Sequence, residues 1–223
     1  MTPDIALRTG YLLDERGQII STREPQPTRN TLFSLIRGRS SHAWAVRSEV
    51  REETKVELGR RIAEEPRQHN LWDPPLHANA YQSLLGGHID SGPAFTFPDK
   101  LAMAPDAVQI DDLKLIEHNF RGWIADEIPD RSPIFAITED GYPVSICFCA
   151  RKSEIAAEAG LETAAPFRGR GFGPKVVAAW AAAIRAARRI PLYSTSWTNE
   201  ASRAVARKLG LEQYASNWNL IDD

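Results

Sequence analysis

A glycine-studded turn between a strand and a helix narrows the folds open to this chain more than any other stretch of its 223 residues. A β-rich run at 155–163 gives way to Pro166-Phe167-Arg168-Gly169-Arg170-Gly171-Phe172-Gly173-Pro174, and a helical pattern then continues to residue 189. Closely spaced glycines let successive backbone N–H groups turn toward one point, and the start of a helix adds unpaired N–H groups and a positive dipole end. The natural occupant is an anion. Pro174 fits a first helical turn but lacks an N–H, so the donors come from Gly169 to Gly173 and from Lys175 onward. A plain flexible turn is the bland reading and needs nothing further. A dinucleotide-binding fold requires Gly-x-Gly-x-x-Gly, whereas Gly169, Gly171 and Gly173 are spaced Gly-x-Gly-x-Gly and follow antiparallel-looking strands. A nucleotide P-loop requires a Gly-Lys-Ser/Thr ending, which is absent.

The rest of the chain alternates strands and helices. Runs at 10–13 and 18–21 predict an opening hairpin, 32–37 and 42–47 two further strands, and 49–64 a helix behind Ser48. A second helix is expected at 75–85, and the pair Gly86-Gly87 after it suggests a boundary between residues 1–88 and 89–223. Beyond it come a strand at 93–97 and a helix at 111–128, whose Leu113, Ile116, Phe120, Ile124 and Ile128 recur at helical spacing before Pro129 stops it. Runs at 134–138 and 142–150 flank Glu139-Asp140-Gly141 as a hairpin, and 155–163 completes a meander. After the glycine turn follow a helix at 174–189, a strand at 192–196, a helix at 199–209 and an extended segment at 213–221.

Composition excludes several classes. With 43% hydrophobic and 25% charged residues the chain can bury a core, and a net charge of -2 supplies no basic field for nucleic acid or an anionic membrane. No run approaches a membrane span, and the N-terminal residues lack a signal-peptide pattern, so a cytoplasmic protein is expected. Cys147 and Cys149, two apart in an apolar run, read as buried structural thiols, and the histidines (His42, His69, His77, His88, His118) have no metal-ligand spacing, so no metal is inferred. Arg185, Arg188 and Arg189 read as a solvated helix end set against its negative dipole.

Arg168, Gly171 and Gly173 match Arg/Gln-x-x-Gly-x-Gly/Ala, and here the chain resembles the GCN5-related N-acetyltransferase (GNAT) superfamily, which carries that signature between its fourth strand and third helix. A second stretch, Asn199-Glu200-Ala201-Ser202 through Leu209-Gly210, is similar to the family's later Asn-x-x-Ala/Ser…Leu-Gly motif. Alone, Asn199 is a helix cap and Ser202 a small residue of a first turn. The resemblance covers roughly residues 93–220, and its motifs fall between 158 and 210. It departs from the family at Ala206, where many members place the tyrosine that acts as general acid to the CoA thiolate. The serine-containing variant resembles the ribosomal-protein and small-amine branch, in which a serine on the same helix serves the thiolate, and Ser202 inherits that role.

The resemblance implies an α/β (α+β) fold with a mixed, mostly antiparallel central sheet flanked by helices, a GNAT-like acyl-CoA N-acyltransferase domain at 89–223 and an N-terminal extension at 1–88. It implies acetyl-CoA as cosubstrate, its pyrophosphate on Arg168, Gly169, Arg170, Gly171, Phe172 and Gly173. Main-chain groups of Leu161 and Thr163 would come from a strand bulged at Gly160, and Asn199 and Ser202 would meet the pantetheine arm. Glu158 and Glu162, four apart on a strand, share a face, and either would serve as base or orient water. Glu158 ranks first, near the position where relatives keep a carboxylate. As an alternative both are solvated strand residues.

The expected reaction is transfer of an acetyl group from acetyl-CoA to a primary amine by direct attack in a ternary complex. The acceptor would be an amine-bearing small molecule or peptide, with no nucleic acid and no membrane, and with a homodimer allowed. Because the usual tyrosine is missing, the alternative is a non-catalytic CoA-binding or regulatory module. Residues 1–88 carry no motif; they are expected to pack on the core and wall the acceptor site, with Trp44, Trp72 and Tyr81 as contacts.

Overall fold

The computed structural model describes residues 1–67, 70–102 and 104–222, so His69, one of the five histidines, lies outside them. In chain order the elements are α1 (Pro3–Gly10), β1 (Tyr11–Leu13), β2 (Ile19–Thr22), β3 (Thr31–Gly38), β4 (His42–Val46), α2 (Glu52–Ala63), α3 (Ala78–Leu85), β5 (His88–Thr96) and β6 (Val108–Ile110). There follow α4 (Leu113–Glu117), α5 (Ile128–Arg131), β7 (Ile134–Glu139), β8 (Tyr142–Lys152), β9 (Ala156–Thr163), α6 (Phe172–Ala186), β10 (Ile190–Ser194), α7 (Glu200–Lys208) and β11 (Glu212–Ile221). No helix among the described residues is long and apolar enough to cross a membrane.

Nine strands form one twisted sheet in the order β4-β3-β11-β5-β10-β9-β8-β7-β6, while β1 and β2 pair separately. Within it β9 and β10 run parallel, and the remaining neighbours are antiparallel. The expected mixed, mostly antiparallel sheet flanked by helices is therefore present. The sheet is continuous across residue 88, because β3 and β4 join it through β11.

Both faces are covered at each half. All eight residues of β3 are buried, with Phe33 and Leu35 against Leu58, Ile62 and Tyr81 of α2 and α3, and Ile36 against Leu7, Tyr11 and Ile19 on the other face. In the half that carries the glycine turn, Val177, Trp180, Ala181 and Ile184 recur along α6 at helical spacing and pack on Cys147, Cys149 and Ala157. The opposite face buries Ile134, Ile146 and Phe148 beneath Ile116, Phe120 and Trp123. Cys147 and Cys149 are free and buried, as expected, and burial pushes both thiols up.

Four local expectations are corrected. The opening hairpin exists as β1 and β2, but α1 precedes it, started by Pro3 with Asp4 in its first turn, where an acidic group meets the positive dipole end. Ser48 does not cap α2; Arg51 occupies that position without a side-chain bond, and the Ser48 hydroxyl donates to Glu49 at 3.0 Å. The helix expected at 111–128 is broken into α4 and α5, since the chain turns at Gly122 with φ 91°, a conformation open to glycine, and Pro129 sits in the first turn of α5 instead of ending a helix. The bulge is on β8, where Ala150 has no partner between Cys149 and Arg151, and not at Gly160, which pairs regularly with Phe148. Gly160 serves another purpose: a Cβ there would stand 2.4 Å from the Phe148 ring, which crosses β9 at that point.

Candidate functional site

β9 and β10 are held together only over Ala156, Ala157 and Glu158, opposite Ile190, Pro191 and Leu192. Beyond that, β9 stays on β8 through Thr163 while Tyr193 and Ser194 remain on β5. The two parallel strands part, and backbone on the open edge of β9 is left without a strand beside it among the described residues. Into this wedge opens a cleft of about 860 Å³, with Leu161, Glu162 and Thr163 on one side, Tyr193, Ser194 and Thr195 on the other, and the glycine turn at one end.

That turn has the geometry an anion site needs. Gly169 and Gly171 hold φ at 79° and 81°, and Gly171 is the residue that caps α6, so no side chain occupies the first N–H groups of the helix. Gly173 sits where a Cβ would touch Leu161 and Val205 at 3.4 Å, ordinary van der Waals contact. The helix begins at Phe172, two residues before Pro174, which falls inside its first turn. The Arg168 Nε donates to the Thr163 carbonyl at 3.1 Å and its exposed side chain lines the cleft. Arg170 does not line it; its guanidinium lies 4.9 Å over the Phe167 ring.

On the far side α7 starts at the cleft. The Asn199 Oδ1 accepts from the Ser202 N–H at 3.0 Å, which is the cap read from the sequence, and both residues line the cleft with Val205 and Lys208. The Ser202 hydroxyl lies 2.7 Å from the Tyr193 hydroxyl on β10. Ala206 is fully buried among the apolar side chains beneath α6.

The two carboxylates fall on one face of β9 but in different surroundings. Glu162 lines the cleft, and burial pushes its carboxyl up, partly offset by a hydrogen bond from Trp123 and the charge of Arg131. Glu158 lies at the closed end of the wedge. It accepts from Ser194 and, at 3.3 Å, from Arg151, which also donates to Glu24 at 2.6 Å. Around it Tyr11, Ser34, Tyr214 and Asn219 enclose a void of about 30 Å³, room for a water at most. Thr163 reaches neither carboxylate, its hydroxyl pairing with Ser145 at 2.8 Å.

Residues 146–219, spanning β8 to β11, match the family model of FR47-like proteins. No curated protein matches the chain by sequence. Among solved structures, a GNAT-family protein from Novosphingobium aromaticivorans superposes with TM-score 0.50 at 16% identity, over 61% of this chain and 66% of that one, just under two thirds of its length. A GCN5-related N-acetyltransferase-like protein from Streptococcus suis superposes with TM-score 0.51 at 15% identity, over 84% of each chain. The fold is that of the GNAT superfamily. The motif read from the sequence lies between β9 and the first turn of α6.

Tyr193 escaped the sequence reading. An aromatic residue in a short apolar strand reads as core, and it is 2% exposed; only the spatial approach of α7 gives it a polar partner.

Proposed function

We propose that the chain is an acetyl-CoA-dependent N-acyltransferase that moves an acetyl group to a primary amine by direct attack in a ternary complex. The observation that carries this reading is the parting of β9 and β10 into a cleft with an anion-holding helix start at one end and a partly desolvated carboxylate at its wall. Acetyl-CoA supplies the acetyl group already activated as a thioester. The N–H groups of Gly169, Gly171, Phe172 and Gly173 would hold its pyrophosphate with Arg168 beside them, and the backbone of Leu161 and Thr163 would face the pantetheine arm.

Glu162 is the better base of the two carboxylates. A raised carboxyl in the cleft can take a proton from an ammonium near neutrality, whereas Glu158 is tied to Arg151 and Ser194 and orders the closed end of the wedge. Ser202, at the start of α7, would give a proton to the departing sulfur, and Asn199 would fix that start.

Thiol release from acetyl-CoA, followed with and without a panel of primary amines, tests the assignment. Turnover that rises with one class of amine is the expected outcome. Acetyl-CoA binding without any amine-dependent release would favour the non-catalytic CoA module.

A further inference from the structure

We infer that Tyr193 is the positioning residue behind Ser202, so that the two hydroxyls act as one donor to the CoA sulfur. The inference rests on the acyltransferase reading above and adds a residue from a different element, β10. Three observations carry it. The Tyr193 and Ser202 hydroxyls are 2.7 Å apart and both residues line the cleft. The Tyr193 hydroxyl also lies 3.4 Å from the Ser202 carbonyl, a longer contact for the same single proton, so the 2.7 Å contact to the Ser202 hydroxyl is the one that takes it. The ring itself is buried against Phe95 and Phe97, which leaves its oxygen one orientation, toward α7. The position on α7 where a direct phenolic donor would stand is Ala206, buried and outside the cleft wall.

A serine hydroxyl alone is a weak proton donor. When Tyr193 donates to the Ser202 oxygen, the serine proton is oriented outward and the charge left on that oxygen is stabilised. In the transfer step the carbon–sulfur bond breaks, Ser202 gives its proton to sulfur, and Tyr193 gives its own to the Ser202 oxygen. The phenol is restored by a proton from cleft water through Ser202, and the proton released by the amine leaves through Glu162. Burial pushes the Tyr193 phenol up to about 12, with the Ser202 bond pulling it back, so the phenol stays protonated at neutral pH.

The test uses CoA itself and does not depend on the acceptor. The pKa of the bound CoA thiol is read from thiolate absorbance in the wild type, Tyr193→Phe and Ser202→Ala, with the melting-temperature shift caused by CoA as the measure of binding. A hydroxyl pair donating to sulfur favours the thiolate, so both substitutions should raise the thiol pKa by about one unit. Their double variant should go no further than Ser202→Ala alone, since Tyr193 acts through the serine. Tyr193→Phe keeps the ring and its packing, so the CoA-induced shift should remain. An unmoved thiol pKa in Tyr193→Phe, or effects that add in the double variant, overturns the inference while leaving CoA binding intact. Failure of the wild type to bind CoA overturns the cofactor reading, and the inference with it.

Discussion

Gly171 holds φ at 81° with nothing within 4 Å of where a Cβ would stand, so it is backbone conformation, not crowding by the protein, that favours glycine at this position. Gly171→Val should fold with a strain of roughly 1–3 kcal/mol. On the proposed reading acetyl-CoA should raise the wild-type melting temperature, a stabilisation of about 2.7 kcal/mol at 100 times the dissociation constant, and the variant should lose that gain. A variant still stabilised like the wild type would remove the loop from the cofactor site. The carboxylates are separated in the same way. Glu162→Gln should lower turnover by roughly 10²–10⁴-fold with acetyl-CoA binding little changed, and Glu158→Gln should act mainly on stability. Because the Glu162 carboxyl is raised, kcat/KM in the wild type should fall on the acid side at a pH above the ordinary carboxylate range, and this limb should vanish in Glu162→Gln. The stability sign is opposite to that of a salt-bridged acid. Protonated Glu162 contributes its full share below the ordinary carboxylate value, and that share is lost as pH rises through the raised one. The melting temperature of Glu162→Gln relative to wild type should therefore climb across that window. At this scale the glycine turn and the Asn199 cap were legible in the sequence because both are local. The different surroundings of Glu158 and Glu162 were not, since Arg151 and Ser194, the partners of Glu158, lie on strands to either side of it.

Among the elements, β7, β8, β9, α6 and α7 were readable from alternation and helical spacing, and α1 and β6 were missed. Helical periodicity misled at 111–128, where Ile116 and Phe120 are buried but Ile124 is 46% exposed, so the repeat was real only over one turn. The misread Gly160 supplies a prediction of its own. Its missing side chain makes room for Phe148, whose ring meets Trp123 edge-on at 4.8 Å and takes the Arg131 guanidinium at 5.0 Å. Gly160→Ala would force that ring aside and should cost about 1–3 kcal/mol in thermal or denaturant unfolding. Phe148→Leu in the same chain should recover part of the loss. A Gly160→Ala protein as stable as the wild type would mean that the ring relaxes freely.

For the molecule as a whole, residues 1–87 supply one flank of the sheet. Trp218 and Leu220 of β11 are buried against Phe33, Tyr81 and Leu58, all from that N-terminal portion. A chain beginning near Ser91 would expose this face and leave the β11 edge unpaired, and it should be insoluble or unfolded by circular dichroism. A soluble, cooperatively melting product would show that residues 91–222 form a complete core. The two portions also meet near the start of α7, where Trp72, 54% exposed, stacks on Trp197 at 4.3 Å with the Arg203 guanidinium 4.6 Å over its ring. That residues 1–88 pack on the core was expected from the sequence, but the strand partnership was not legible, because pairing between residues 31–38 and 212–221 leaves no mark on either run.

That same pairing sets an order of events on the ribosome. β3 and β4 can form their hairpin early, yet the strand that must lie beside β3 is made only after some 170 further residues, at roughly 5–20 residues per second. For that interval the edge of β3 that pairs with β11 lacks its partner, even though α2 and α3, made next, can already cover Phe33 and Leu35, and the sheet becomes continuous only once β11 lies between β3 and β5.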